Sequence, residues 1–205
     1  FKKIVKPNIQ KLNRIKDTFD ERFEYLRLDK NERLLSFNKT LFKSFILDIK
    51  DHDLSGYHEL GNLYKILARY LLVKENEILL SAGSDIGIKS VYEACIDDSA
   101  HIICHAPSYA MYRVYANMFG AETTLVSVKE DWSLDFEKIY KSIKSTTKLV
   151  VIENPNGFIG TKPKKDDVHS LIKYLHNKNI LLLIDEAYIY VHKKKSDFIE
   201  LINQY

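Results

Sequence analysis

Residues 180–191 read ILLLIDEAYIYV: an apolar run ends in two carboxylates, Asp185 and Glu186, with a phenol, Tyr188, three residues after the first. Taking an aspartate out of water is costly unless something pairs with it. Asp185 therefore either caps a loop or waits for a cationic ligand. Three more stretches carry chemistry. In AGSDIG, Gly83 permits a tight turn, and Ser84 and Asp85 then open a helical pattern. Free N–H groups beside a hydroxyl suit a phosphate, although an ordinary N-cap has the same composition. In APSY, Tyr109 can stack on a planar ligand or pack into a core. NPNG reads as a turn and offers the amides of Asn154 and Asn156.

These residues need elements to position them. From residue 77 onward strand and helix patterns alternate at short spacing. EILLS, HIICH, AETTLVSV, KLVVIE and ILLLID read as strands. SDIGIKSVYEACI, SYAMYRVYANMFG (closed by Gly120), SLDFEKIYKSI (capped by Ser133) and KDDVHSLIKYLHNK read as helices. YHELGNLYKILARYLL carries a helical apolar stripe before them, and SDFIELINQY reads as a helix start capped by Ser196. Strands that are continuous apolar runs predict an α/β fold, a three-layer sandwich whose mostly parallel sheet is covered on both faces. In such sheets ligands bind beyond the carboxyl ends of the strands. The residues singled out above all follow a strand.

Composition narrows the classes. The chain has 205 residues, 45% of them hydrophobic, enough for one large core with flanking pieces. A balance of 31 basic against 28 acidic residues does not describe a nucleic-acid binder, and the HKKK run at 192–195 reads as a solvated loop. Two cysteines, Cys95 and Cys104, do not make a disulfide scaffold and suit a reducing cytoplasm. No apolar run reaches the roughly 20 residues of a membrane span, and the start lacks a signal-peptide core. The absent initiator Met and the interrupted last helix read as a piece of a larger protein. HIICH brings His101, Cys104 and His105 close together, but on a strand Cys104 points away from the histidines. The group reads as strand packing rather than a metal site.

Taken together, the strand ends supply a phosphate cradle, a stacking ring, amides, a phenol and a carboxylate. They suit a flat, phosphorylated, cationic heterocycle. Pyridoxal 5'-phosphate has these features, and its protonated pyridine nitrogen would give Asp185 a partner.

The ordered set GSD, APSYAMY, NPNGFIGT and DEAY resembles the fold type I, class I/II aminotransferases, and most of all their histidinol-phosphate aminotransferase branch. LDKNE at 28–32 and GYHEL at 56–60 are similar to that branch as well. The resemblance implies that Gly83, Ser84 and Asp85 hold the cofactor phosphate and that Tyr109 stacks on the pyridine ring. It implies that Asp185 pairs with the ring nitrogen, that Tyr188 binds the phenolic oxygen, and that Tyr57 reaches the phosphate of a partner subunit in a homodimer. It implies an N-terminal arm over 1–55 and a large cofactor domain over 56–205, incomplete, with a C-terminal small domain absent. The substrates would be a small amino donor and a keto acceptor, the donor a phosphorylated amino compound such as histidinol phosphate or serinol phosphate.

The sequence departs from the family twice. Gly157 stands where the family has an Asn that contacts the phenolic oxygen, with Asn156 one place earlier as a substitute. The Schiff-base lysine and the arginine that grips a substrate carboxylate, both later in the family pattern, are not in this chain. None of Lys193, Lys194 or Lys195 has the right setting, so the chain alone is expected to be inactive. Decarboxylation of a phosphorylated amino acid, with the same cofactor, is the alternative. In a different class stand a non-catalytic relative and a nucleotide-binding module, the last disfavoured because AGSDIGIKS lacks G-x-G-x-x-G.

Overall fold

A computed structural model of the chain describes residues 4–12, 22–192 and 195–205, without the side chain of His192. Lys193 and Lys194 of the HKKK run, and residues 1–3 and 13–21 of the expected arm, lie outside the described residues. The chain divides into two compact units, one of Phe1–Asn13 with Leu79–Tyr205, the other of Arg14–Ile78. The expected boundary at residues 55 and 56 falls inside the second unit.

The larger unit begins with a single turn, α1 (Pro7–Gln10), and continues through α5 (Gly83–Cys95), β1 (His101–Ala106), α6 (Met111–Phe119), β2 (Glu122–Ser127), α7 (Phe136–Lys141), β3 (Thr147–Glu153), α8 (Lys165–His176), β4 (Leu181–Asp185) and α9 (Ile189–His192). The smaller unit holds α2 (Lys39–Asp48), α3 (Asp51–Ser55) and α4 (Gly61–Leu71). All strand pairings are parallel, in the order β2-β1-β3-β4. Between successive strands a helix (α6, α7 and α8 in turn) returns the chain to the sheet, as parallel pairing requires.

Strand alternation divides the core into two faces. Ile102, Cys104, Leu149 and Val151 pack with Ile88 and Tyr92 of α5 and Tyr112, Tyr115 and Ala116 of α6. Ile103, Val150 and Ile152 pack with Ile139 of α7 and Val168, Leu171 and Leu175 of α8. The three layers predicted from the sequence are therefore present. Burying each such aliphatic side chain contributes roughly 1.5–3 kcal/mol, so the central strands β1 and β3 anchor the unit.

The ends of the elements follow local chemistry. α6 stops at Gly120, which adopts φ +85°, and a Cβ there would lie 2.9 Å from Asn8 Nδ2 and 3.0 Å from Asp98 Cβ. α7 is capped by Asp135, whose carboxylate accepts from Lys138 N at 3.0 Å. The expected cap, Ser133, is two residues too early; its N–H and hydroxyl bond Asp131 instead. Ser196 accepts from Phe198 N and Ile199 N, but the turn that follows, Ile199–Asn203, is a 3-10 helix whose N-cap is Phe198. EILLS is not a strand of the sheet. Glu75–Glu77 forms a 3-10 turn and residues 78–81 run on without joining the four-stranded ladder, because extended apolar backbone becomes a strand only where a neighbour pairs with it.

In the smaller unit, Arg22 closes the LDKNE stretch, bonding Asp29 at 2.7 Å and Glu32 at 2.6 Å. The apolar stripe seen from residue 57 to 72 becomes α4, with only Ala68 buried.

Candidate active site at the carboxyl edge of the sheet

Parallel pairing in register brings Glu153, the last residue of β3, directly beside Asp185, the last residue of β4. Both share the strand parity of Val151 and Leu183, so both face the layer of α5 and α6. α6 supplies Tyr112, fully buried, whose hydroxyl donates to Asp185 Oδ2 at 2.6 Å. The other oxygen, Oδ1, accepts Ala187 N at 2.9 Å. Asp185 thus has two protein donors, one for each oxygen, and each oxygen keeps a lone pair for another. Burial, and the two carboxylates nearby, hold the Tyr112 phenol far above its ordinary pKa. Next to it Asn154 ties the two strand ends, its N–H to Asp185 O at 2.8 Å and its amide to Glu186 Oε1 at 2.9 Å.

Tyr109 leads into α6. Its main-chain N–H donates to Glu153 Oε1 at 2.7 Å, the residue is 38% exposed, and its hydroxyl donates to Asp85 Oδ1 at 3.2 Å. The ring meets Tyr112 edge-on, with centroids 5.8 Å apart. Burial first, then Asp85, push its phenol up to about 12, with Tyr188 and Asp185 adding to the shift. Asp85, Tyr188 and Asp185 therefore each lie within electrostatic reach of the Tyr109 hydroxyl.

Asp85 belongs to the first turn of α5. Gly83 starts that helix at φ +81°, and a Cβ placed on it would meet nothing within 4 Å. Ala82 at the N-cap provides no side-chain acceptor, and Gly83 and Ser84 are exposed. The Gly83 N–H donates to Ser81 O at 2.8 Å, and the N–H groups of the exposed Ser84 and of Asp85 follow it at the positive end of the helix, an arrangement suited to an anion. Since the Asp85 carboxylate is turned to Tyr109, its backbone rather than its charge would face a phosphate.

The NPNG loop serves differently from expectation. Asn156 is buried; its Oδ1 accepts from Phe158 N at 2.8 Å and Ile159 N at 3.0 Å, and its Nδ2 donates to Pro107 O at 2.8 Å. That amide is committed to joining the 107 and 156–159 loops, because a buried Asn must satisfy its own polar atoms first. It is not placed as a stand-in for the family Asn. Gly157 donates its N–H to Glu153 Oε2 at 3.0 Å, and a Cβ on it would stand 2.8 Å from Tyr188 Cε2. The ring of Tyr188 occupies the space that a side chain at 157 would need. Tyr57 belongs to the smaller unit and its side chain is fully exposed.

Sequence reasoning missed two residues, Tyr112 and Glu153. Tyr112 follows Tyr109 by three, a helical spacing visible in SYAMY. Glu153 ends an apolar strand just as Asp185 does, and the same question asked of it would have found it. His105 lies on the opposite face, where Nε2 accepts from Glu153 N at 3.1 Å and Nδ1 approaches Pro107 O at 3.1 Å. The neutral tautomer with its proton on Nδ1 satisfies both. Burial depresses its pKa to about 4. His101 bonds Thr147 and Thr124 through its two nitrogens, each at 2.8 Å. Both histidines are engaged by protein atoms, and no metal-binding group of three or more His, Cys, Asp or Glu occurs among the described residues.

An open anion cradle, a half-exposed ring, a phenol and a carboxylate with spare lone pairs fit pyridoxal phosphate. Comparison with known proteins gives the same direction. The family model for aminotransferase class I and II matches residues 25–204. A histidinol-phosphate aminotransferase of Clostridium kluyveri is 25% identical over 195 residues, covering 94% of this chain and 54% of that protein. One from Pelagibacter ubique is 33% identical over 172 residues, covering 83% and 47%. A solved structure from Erwinia carotovora atroseptica, provisionally named a histidinol-phosphate aminotransferase, superposes with a TM-score of 0.67 at 25% identity, covering 75% of this chain and 46% of that one. The chain spans about half the length of the curated relatives it matches.

Proposed function

The chain belongs to the class I and II aminotransferase family, and on that premise we propose that the whole protein is a pyridoxal-phosphate-dependent aminotransferase acting on a phosphorylated amino compound, as the names of its relatives suggest. One observation carries the reading: a single sheet edge gathers the open first turn of α5, the Tyr109 ring, the Tyr188 phenol and the Asp185 carboxylate. When bound, the cofactor supplies an electron sink for bonds broken at the substrate's α-carbon. The N–H groups of Ser84 and Asp85 hold its phosphate at the turn that Gly83 makes, the Gly83 N–H itself being bonded to Ser81 O. Tyr109 stacks on the ring. Asp185, fixed by Tyr112 and Ala187, keeps the pyridine nitrogen protonated through a charge-assisted hydrogen bond. Tyr188 takes the phenolic oxygen, without help from residue 157.

The lysine that would hold the cofactor aldehyde, and the arginine for the substrate carboxylate, belong to the part of the family's length that this chain does not span. The reading extends to a cytoplasmic homodimer in which Tyr57 completes a partner subunit's phosphate site, with residues 56–205 contributing the large domain. No helix among the described residues is long and apolar enough to cross a membrane. The test is to mix the purified whole protein with pyridoxal phosphate, reduce with borohydride and map the labelled peptide. A labelled lysine, followed by a keto product and a new amino acid from a phosphorylated amino donor, supports the reading. Release of an amine and carbon dioxide would instead identify a decarboxylase, and no labelling would remove both.

A further inference from the structure

We propose that Glu153, to which nothing else assigns a role, is a positioning residue of this site: its one buried carboxylate sets both the stacking ring and the seat of the Tyr188 phenol. The proposal rests on the cofactor reading above. Its two oxygens serve two separate loops. Oε1 accepts the N–H of Tyr109 at 2.7 Å, in the segment between β1 and α6, and Oε2 accepts the N–H of Gly157 at 3.0 Å, in the segment after β3. Glu153 is only 6% exposed, so water reaches its carboxylate poorly. An N–H that loses its acceptor is left poorly satisfied, so the loops stay where the carboxylate holds them.

What each N–H carries gives the clamp its purpose. Tyr109 bears the ring expected to stack, and its hydroxyl already leans on Asp85. Gly157 is the floor under the Tyr188 ring, which stands 2.8 Å from where a Cβ would be. A shift of either loop changes the gap into which a flat ligand must fit. A second support comes from behind, where the N–H of Glu153 itself donates to His105 Nε2 at 3.1 Å. The carboxylate is therefore held at its root as well as at its tip.

Glu153→Gln tests this in the whole protein. Glutamine keeps the length and volume, but one oxygen becomes an NH2 that faces a main-chain N–H, donor against donor. One of the two clamps must open. Hydrogen exchange of the cofactor-free protein should then speed by about tenfold at Tyr109 or Gly157 while Ile102 and Val150 in the central strands keep their protection. Affinity for pyridoxal phosphate, read from its induced visible circular dichroism, should fall by about tenfold. A double-mutant cycle with Tyr109→Ala should be non-additive, the second change adding less than its effect in the wild type. A residue of merely structural importance would give additive losses and general deprotection, and that result overturns the proposal. So do wild-type protection at both amides and unchanged affinity. Should Glu153→Gln not accumulate folded, Glu153→Asp keeps the charge on a shorter arm. It must then release at least one of the two amides, and if it releases neither the proposal fails. Wild-type protein that binds no pyridoxal phosphate sinks the cofactor reading and the proposal with it. A wild type that binds normally beside an indifferent Glu153→Gln sinks the proposal alone.

Discussion

The hydroxyl of Tyr112 donates a 2.6 Å hydrogen bond to Oδ2 of Asp185. The tyrosine is fully buried and the aspartate ends β4, so the helix of one layer orients the carboxylate of another. With Ala187 N on the second oxygen, the carboxylate cannot turn freely. An apolar strand can therefore deliver an aspartate to its edge without leaving the charge unpartnered, and the charge still has capacity for a cation.

Tyr112→Phe keeps the ring and removes that donor. Because the aspartate is only partly buried, water can replace some of the loss, so folding stability should fall by about 1 kcal/mol. Cofactor affinity should fall more, by about tenfold, since Asp185 is then free to rotate. Thermal unfolding and cofactor titration of the whole protein check the two numbers. Lost stability with unchanged affinity would mean that Tyr112 matters only for packing.

Asp185→Asn removes the charge and preserves the size. Cofactor binding should fall modestly, because the first turn of α5 and Tyr109 remain. Proton transfer at the substrate should slow by on the order of a hundredfold or greater, because the ring nitrogen loses the charge that keeps it protonated. Single-turnover kinetics at saturating cofactor measure it. A near-normal rate would make Asp185 a structural cap.

Gly157→Asn restores the side chain that the family carries there, but its Cβ would fall 2.8 Å from Tyr188 Cε2. The Tyr188 ring is half-buried and can swing away, so the expected cost is about 1 kcal/mol rather than misfolding. The ring resonances of Tyr188 should shift. The absorbance of bound cofactor should shift with them, because the contact to its phenolic oxygen changes. Unmoved Tyr188 resonances would show that the two residues do not compete for space.

His105 is held neutral in the fold, with a pKa near 4 against an ordinary 6.5. Protonating Nε2 would set its N–H against the N–H of Glu153. Between those pH values the unfolded chain binds the proton and the folded one does not, so stability falls as pH drops. The contribution is complete above about pH 6.5 and is lost progressively toward pH 4, by up to about 3 kcal/mol. Denaturant melts of wild type and His105→Asn across that window give the difference curve, in which other titrating groups cancel. Parallel curves would refute it.

The sequence by itself determined the alternation of strand and helix, the parallel sheet covered on both faces, and which polar residues follow the strands. These are local properties: apolar periodicity, glycine conformation and the residues that follow each strand. Gly120 closes α6 because only its own backbone conformation is needed for that. Asp185 stood out because a carboxylate after five aliphatic residues has no local explanation. What tertiary structure decided is how the polar atoms are shared. Asn156 looks like a ligand in NPNG, yet it is consumed by Pro107, Phe158 and Ile159. Glu153 looks like the end of a strand, yet it joins Tyr109 to Gly157. EILLS has the composition of a strand but lacks a place in the ladder. Hydrogen-bond partners distant in sequence are chosen by register and packing, and a buried polar group takes whichever partner the fold brings within reach, which no local pattern encodes.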